Sequence, residues 1–95
     1  MNANTNNNQK QVHVNLEIEK AVIAGLLSNP DAIFDVMGRL RPEMFYHPGL
    51  QFVYTSILSL VDAGKGVDML TVEQEMIRLD MAHYERLNGL SFLSD

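Results

Sequence analysis

A chain of 95 residues with a net charge of −5 and no cysteine has room for one small domain, with neither a disulfide nor a thiolate metal site to staple it. Seven basic against twelve acidic residues disfavour a nucleic-acid platform, which needs a basic face to neutralise phosphates. The longest apolar run, Ala21 to Leu27, is interrupted by Gly25 and far too short for a bilayer, and the polar N-terminus lacks the apolar centre of a signal peptide. A cytoplasmic protein is expected, in keeping with the absence of cysteine.

Residues 1–14 read as a disordered, Asn-rich tail, with Asn at positions 2, 4, 6, 7 and 8. Residues 15–95 read as an all-α domain of about five to six short helices, crossing one another in a compact orthogonal arrangement. Asn15 is a suitable N-cap, Glu17 and Glu19 suit the positive end of the helix dipole, and Ile18, Val22, Ile23, Leu26 and Leu27 recur at helical spacing. Pro30 closes that helix and opens a second, capped by Asn29, in which Ile33, Phe34, Met37 and Leu40 form an apolar face.

Pro42 ends the second helix, and a single turn is expected from there to Phe45. After Pro48, Leu50, Val53, Tyr54, Ile57, Leu58 and Val61 make a stripe unbroken over three turns, the expected spine of the core. Gly64 is its left-handed stop. Thr71 to Gln74 has the form of a capping box, followed by Val72, Met76 and Leu79 facing inward. A last short element starts near Leu90, and the chain ends so soon after it that Asp95 is expected to be a boundary inside a longer protein. Val12-His13-Val14 is the sole strand-like segment and is too short to count as one.

The search for chemistry returns little. A P-loop needs a glycine, four residues and then Gly-Lys-Ser/Thr, but Gly66 follows Gly64-Lys65 and Ser59 stands where the first glycine belongs. His13, His47 and His83 are too far apart in sequence to share a metal by helical spacing, and His47 suits a place beside the N-cap of the long helix. Glu17/Glu19 and Glu73/Glu75, two residues apart, point to different sides of their helices and read as solvated. Of the methionines, Met37 and Met76 lie on apolar stripes, while Met44, Met69 and Met81 are the ones expected at the surface. No catalytic, cofactor-binding or metal-binding residue is assigned. Tyr84 and Phe92 either pack on the first helices or form an apolar patch for a partner, since aromatic anchors carry much of an interface's energy.

The order of these pieces resembles one family. Asn15-Leu16-Glu17-Ile18-Glu19, Val22 and Gly25-Leu26-Leu27 are similar to the opening helix of the N-terminal domain of DnaB-family replicative DNA helicases. Phe45-Tyr46 with Tyr54 and Ile57, then Val67-Asp68-Met69-Leu70-Thr71-Val72, then Asn88-Gly89-Leu90-Ser91-Phe92-Leu93, follow at the family's intervals. The resemblance runs from Asn15 to Leu93. The chain departs from the pattern at Leu50, where many members have histidine, at Asn88 in place of glycine, and at Phe92 in place of tyrosine. The stretch from Asp80 to Leu87 is irregular against it.

The resemblance implies a helical interaction module that pairs into dimers, joins the collar of a hexameric ring and contacts primase. If Phe92 lies on the partner surface, Tyr84 and Arg86 are near it in sequence, and these three are the candidate partner-binding residues. The resemblance also implies a RecA-like motor outside this segment, which would use ATP and Mg and carry the main DNA contacts, so this segment itself would be no enzyme. The alternative is a free-standing helical DNA-binding or regulatory module, for which Arg39 and Arg41 are the best local pair of cations. A small enzyme would need a pocket lined by the carboxylates already read as solvated.

Overall fold

A computed structural model describes the backbone of residues 2–94 and the side chains of residues 15–91 and 93. Among these, four α-helices and three 3-10 turns are present and no strand, so the chain is all-α with fewer full helices than the five to six expected. Helix α1 spans Asn2–Ser28. It begins ahead of the start expected at Asn15, which lies in its interior rather than at a cap. Asparagine inside a helix costs only about 0.5 kcal/mol, too little to fix a boundary. His13 and the other side chains of residues 2–14 lie outside the described ones.

A 3-10 turn, Pro30–Ala32, leads into α2, Ile33–Val36, and a second, Pro42–Met44, precedes α3, Pro48–Asp62. Helix α3 is the centre of the domain. Leu50, Val53, Tyr54 and Ile57 are wholly buried, Phe52 and Leu60 nearly so, and Ile23 and Leu26 of α1, Ile33 of α2 and Val72 and Met76 of α4 close around them. Each such side chain contributes roughly 1.5–3 kcal/mol by leaving water. Polar links fix the loops to this spine. The Tyr54 hydroxyl donates to the Leu40 carbonyl at 2.8 Å, and burial pushes its pKa up. The Gln51 amide donates to the Phe45 carbonyl at 2.6 Å, and both Glu19 carboxylate oxygens accept the Tyr46 N–H at 3.0 Å.

The ends of α3 follow from local chemistry. His47 is its N-cap, with Nδ1 accepting the Gly49 N–H at 2.9 Å, and Pro48 fills the first turn, where no donor is needed. At the other end Gly64 takes φ +69, the Lys65 N–H reaches the Leu60 carbonyl and the Gly64 N–H that of Val61. This crossed pair satisfies carbonyls the helix itself leaves open.

Several expectations fail for identifiable reasons. Ile18 and Val22 are exposed, because α1 turns Ile23 and Leu26 inward and its other apolar side outward. Phe34 and Met37 are exposed as well: α2 is a four-residue helix, too short to carry the face drawn through them, and Asn29 makes no side-chain cap. Helix α4, Met69–Arg86, is capped by Asp68 rather than Thr71. Asp68 Oδ1 accepts the Thr71 N–H at 2.8 Å while Thr71 Oγ1 accepts the Asp68 N–H at 2.9 Å, a reciprocal box one turn earlier than expected. Leu79, expected inside, is exposed at the end of the first half of α4.

Helix α4 is broken at Asp80, whose φ −160 and ψ 87 are not helical. Asp80 Oδ1 accepts the His83 N–H at 3.0 Å, so the residue that interrupts one helical segment caps the next.

Candidate partner-binding cleft at the end of α4

The second half of α4 ends in a crossed hydrogen-bond pair like that of α3. Asn88 takes φ 59, its N–H reaches the Glu85 carbonyl, and the Gly89 N–H reaches that of Tyr84. Asparagine is among the few residues that tolerate this backbone at little cost. Gly89 follows at φ +69, and a Cβ there would lie 3.1 Å from the Tyr84 hydroxyl. The turn thus brings residues 88–91 beside the start of α4. Together they line an open cleft of about 540 Å³ formed by Met69, Glu73, Tyr84, Glu85, Asn88, Gly89, Leu90 and Ser91.

Tyr84 anchors the cleft wall. Its hydroxyl donates to Glu73 Oε2 at 2.6 Å, joining the two halves of α4 across the break. That hydrogen bond, then burial, then the carboxylate's charge hold the Tyr84 pKa above its usual value. Ser91 donates to the Asn88 carbonyl at 2.9 Å and ties down the opposite rim. Leu90 is buried beneath, and Met69 is exposed at the mouth.

Of the three partner-binding residues that the sequence singles out, Tyr84 lines the cleft and Arg86 is exposed but does not. Phe92 lies in the 3-10 turn Ser91–Ser94, with its side chain outside the described ones. Met69, Glu73 and Glu85 belong to the cleft and were not singled out as site residues. No sequence spacing points to Glu73: on a continuous helix 11 residues separate two side chains by about 16 Å, and the contact with Tyr84 depends on the break at Asp80.

Two further titratable side chains, Glu75 and His83, make packing contacts with α3. Glu75, read as solvated, is buried: its carboxylate accepts from the Ser59 hydroxyl of α3 and pairs with the Arg78 guanidinium at 2.8 Å through both oxygens. These hydrogen bonds outweigh the cost of burial and hold the Glu75 pKa down at about 2. His83 stacks on Phe52 with ring centroids 4.5 Å apart. Among the described residues no group of three or more His, Asp or Glu is placed to hold a metal ion. No helix of the described residues is long and apolar enough to cross a membrane.

Helices packed around a buried central α3, with a cleft where the broken α4 folds back on itself, define a small all-α domain. Residues 11–95 match the family model described as the DnaB-like helicase N-terminal domain, and the chain belongs to that family. The replicative DNA helicase DnaB of Mycobacterium leprae is 38% identical over 84 residues, which cover 88% of this chain and 14% of that protein. The replicative DNA helicase DnaC of Bacillus subtilis is 35% identical over 81 residues, 85% of this chain and 17% of that protein. In three dimensions, the crystal structure of the N-terminal domain of DnaB helicase from Mycobacterium tuberculosis aligns with a TM-score of 0.73 and 40% identity, covering 83% of this chain and 54% of that one. The chain therefore spans well under a fifth of the length of these two helicases.

Proposed function

We propose that this domain is the N-terminal protein–protein interaction module of a cytoplasmic replicative DNA helicase, and that it works by self-association and by contact with primase. The observation that carries this reading is the family match over residues 11–95, with relatives named as replicative DNA helicases. In the proposed whole protein, copies of the domain pair into dimers and form a collar on a hexameric ring. A motor outside these residues binds ATP and Mg, hydrolyses ATP and engages DNA. The domain contributes surfaces, not catalysis.

The acidic balance of the chain supports a role on proteins rather than on phosphate backbones. The cleft at Tyr84 offers a mixed apolar and polar lining, as partner surfaces commonly do. The test is a calorimetric titration of the domain with primase, beside a gel-shift with single- and duplex DNA. Saturable primase binding that weakens on replacing Tyr84, Arg86 or Phe92 with alanine is the expected result. Tight, salt-sensitive DNA binding without any primase binding would sink this reading.

A further inference from the structure

Helix α4 bends at Asp80 although its composition does not demand a bend. Sharp kinks in helices ordinarily trace to proline or glycine, and neither occurs between Met69 and Arg86. Met81, Ala82, Glu85 and Arg86 beyond the break are good helix formers, and aspartate inside a helix costs little. The apolar period also runs on through the break. On a continuous helix Val72, Met76, Leu79, His83 and Leu87 would fall within about 80° of arc, as a single stripe. In the bent helix Leu79 drops out of that stripe and is 41% exposed.

The contacts with α3 accommodate a straight path as well. Along α4, the Glu75 carboxylate meets the Ser59 hydroxyl and His83 stacks on Phe52. Further on, Leu87 lies against Gly49, where an added Cβ would come 3.0 Å from Leu87 Cδ2. The partners advance by nearly equal numbers of residues on the two helices, as they do along an unbroken antiparallel pair. Three features belong to the bent form alone: the Asp80 cap on the His83 N–H, the Tyr84–Glu73 hydrogen bond at 2.6 Å, and the cleft those residues hold open. On a straight helix Glu73 and Tyr84 would stand about 16 Å apart along the axis, too far for that hydrogen bond. The straight form would gain the helical hydrogen bonds missing across Asp80 and a place for Leu79 on the stripe that faces α3.

We propose that α4 is a two-position element. Bent at Asp80 it forms the Tyr84 cleft, and straight through Asp80 it dismantles the cleft. The Asp80 side chain supplies the bias toward the bent position, through a cap that exists only there. The cleft is then a switchable site: a molecule that fills it binds one position and not the other, and so holds the bend. This holds whichever partner uses the cleft.

Nuclear magnetic resonance of the domain carrying Asp80→Ala tests this, with far-UV circular dichroism as the control for folding. The substitution removes the cap and places the best helix former at the break, which should shift the balance toward the straight form about tenfold. The Cα chemical shift of residue 80 should move toward the helical range. The amides of Met81 and Ala82, first-turn donors in the bent form, should exchange more slowly as they gain carbonyl partners in the turn before. Adding Met81→Pro should return residue 80 to its extended shift, because the residue before a proline is kept out of the α region while proline suits the first position after a cap. Two results overturn the proposal. Residue 80 staying extended in Asp80→Ala, with exchange at Met81 and Ala82 unchanged, means one fixed bend. Faster exchange across residues 81–86 with a loss of helical signal means that the segment unfolds instead of straightening. Titration with primase reads the functional proposal separately.

Discussion

Helix α3 and the stretch 80–94 are held by different kinds of force. Helix α3 rests on six large apolar side chains at 8% exposure or less, so each one shares its load with several neighbours. The C-terminal stretch rests on the Asp80 cap, the Tyr84–Glu73 hydrogen bond, the Asn88–Gly89 turn, the stack of His83 on Phe52 and one buried apolar side chain, Leu90, with Tyr84, Leu87 and Leu93 half-buried against the core. Damage to α3 should spread through the whole core, whereas damage to the C-terminal stretch should stay nearer the cleft. That division suits the proposed interaction role, in which the frame stays fixed while one surface adapts.

The comparison is sharpest where the effect is largest. Ile57→Ala removes a wholly buried side chain from the middle of α3. It should cost about 3 kcal/mol and lower the thermal midpoint by on the order of 12–20 °C for a domain of this size, measured by calorimetry. Next comes Glu75, the polar tie between α3 and α4. Its folded pKa of about 2 lies below the usual 4.5, so its contribution is present above pH 4.5 and is lost as pH falls toward 2. Glu75→Gln should cost about 2 kcal/mol at neutral pH, discounting the charge term because Arg78 is largely in solvent, and should flatten the acid limb of the stability curve. Urea melts at a series of pH values give both numbers, and an unchanged acid limb would contradict the Arg78 and Ser59 assignment.

Gly89→Ala combines a left-handed backbone with a Cβ 3.1 Å from the Tyr84 hydroxyl. A cost of about 1–2 kcal/mol is expected, with the shifts in an amide NMR spectrum confined to the cleft. A loss as large as that of Ile57→Ala would break the distinction between the two regions. The smallest effect is expected from Tyr84→Phe, which deletes only the link to Glu73. Global stability should fall by about 1 kcal/mol or less, while hydrogen exchange at residues 81–91 speeds up and that of α3 does not.

Much of α3 was legible in the sequence because burial on one face imposes a strict period, and Leu50, Val53, Tyr54 and Ile57 obey it. The His47–Pro48 start and the Gly64 stop were legible for a related reason: each depends on backbone chemistry confined to a few adjacent residues. Phe34 and Met37 were misread because apolar spacing carries meaning only while the helix continues, and α2 stops at Val36. The cap of α4 was misplaced because Asp68-to-Thr71 and Thr71-to-Gln74 both fit the box pattern, and the pattern alone does not rank them. Glu73 and Glu75 were read alike as solvated. What separates them is a Tyr84 hydroxyl on one side and a Ser59 hydroxyl on the other, supplied by tertiary packing. Tyr84 was picked out as an aromatic in a weakly patterned stretch. The cleft it lines needed the break at Asp80 and the turn at Asn88–Gly89 together.

The break at Asp80 also sets how the domain bears a mechanical load. Backbone hydrogen bonding is interrupted there, so tension entering from the residue 94 end meets a short segment, residues 81–86, before it meets the half of α4 clamped to α3 through Val72 and Met76. Stretching should peel buried Leu90 and then that segment away first, distorting the cleft while α3 and the first half of α4 stay packed, with Asp80 as the fuse between the two parts.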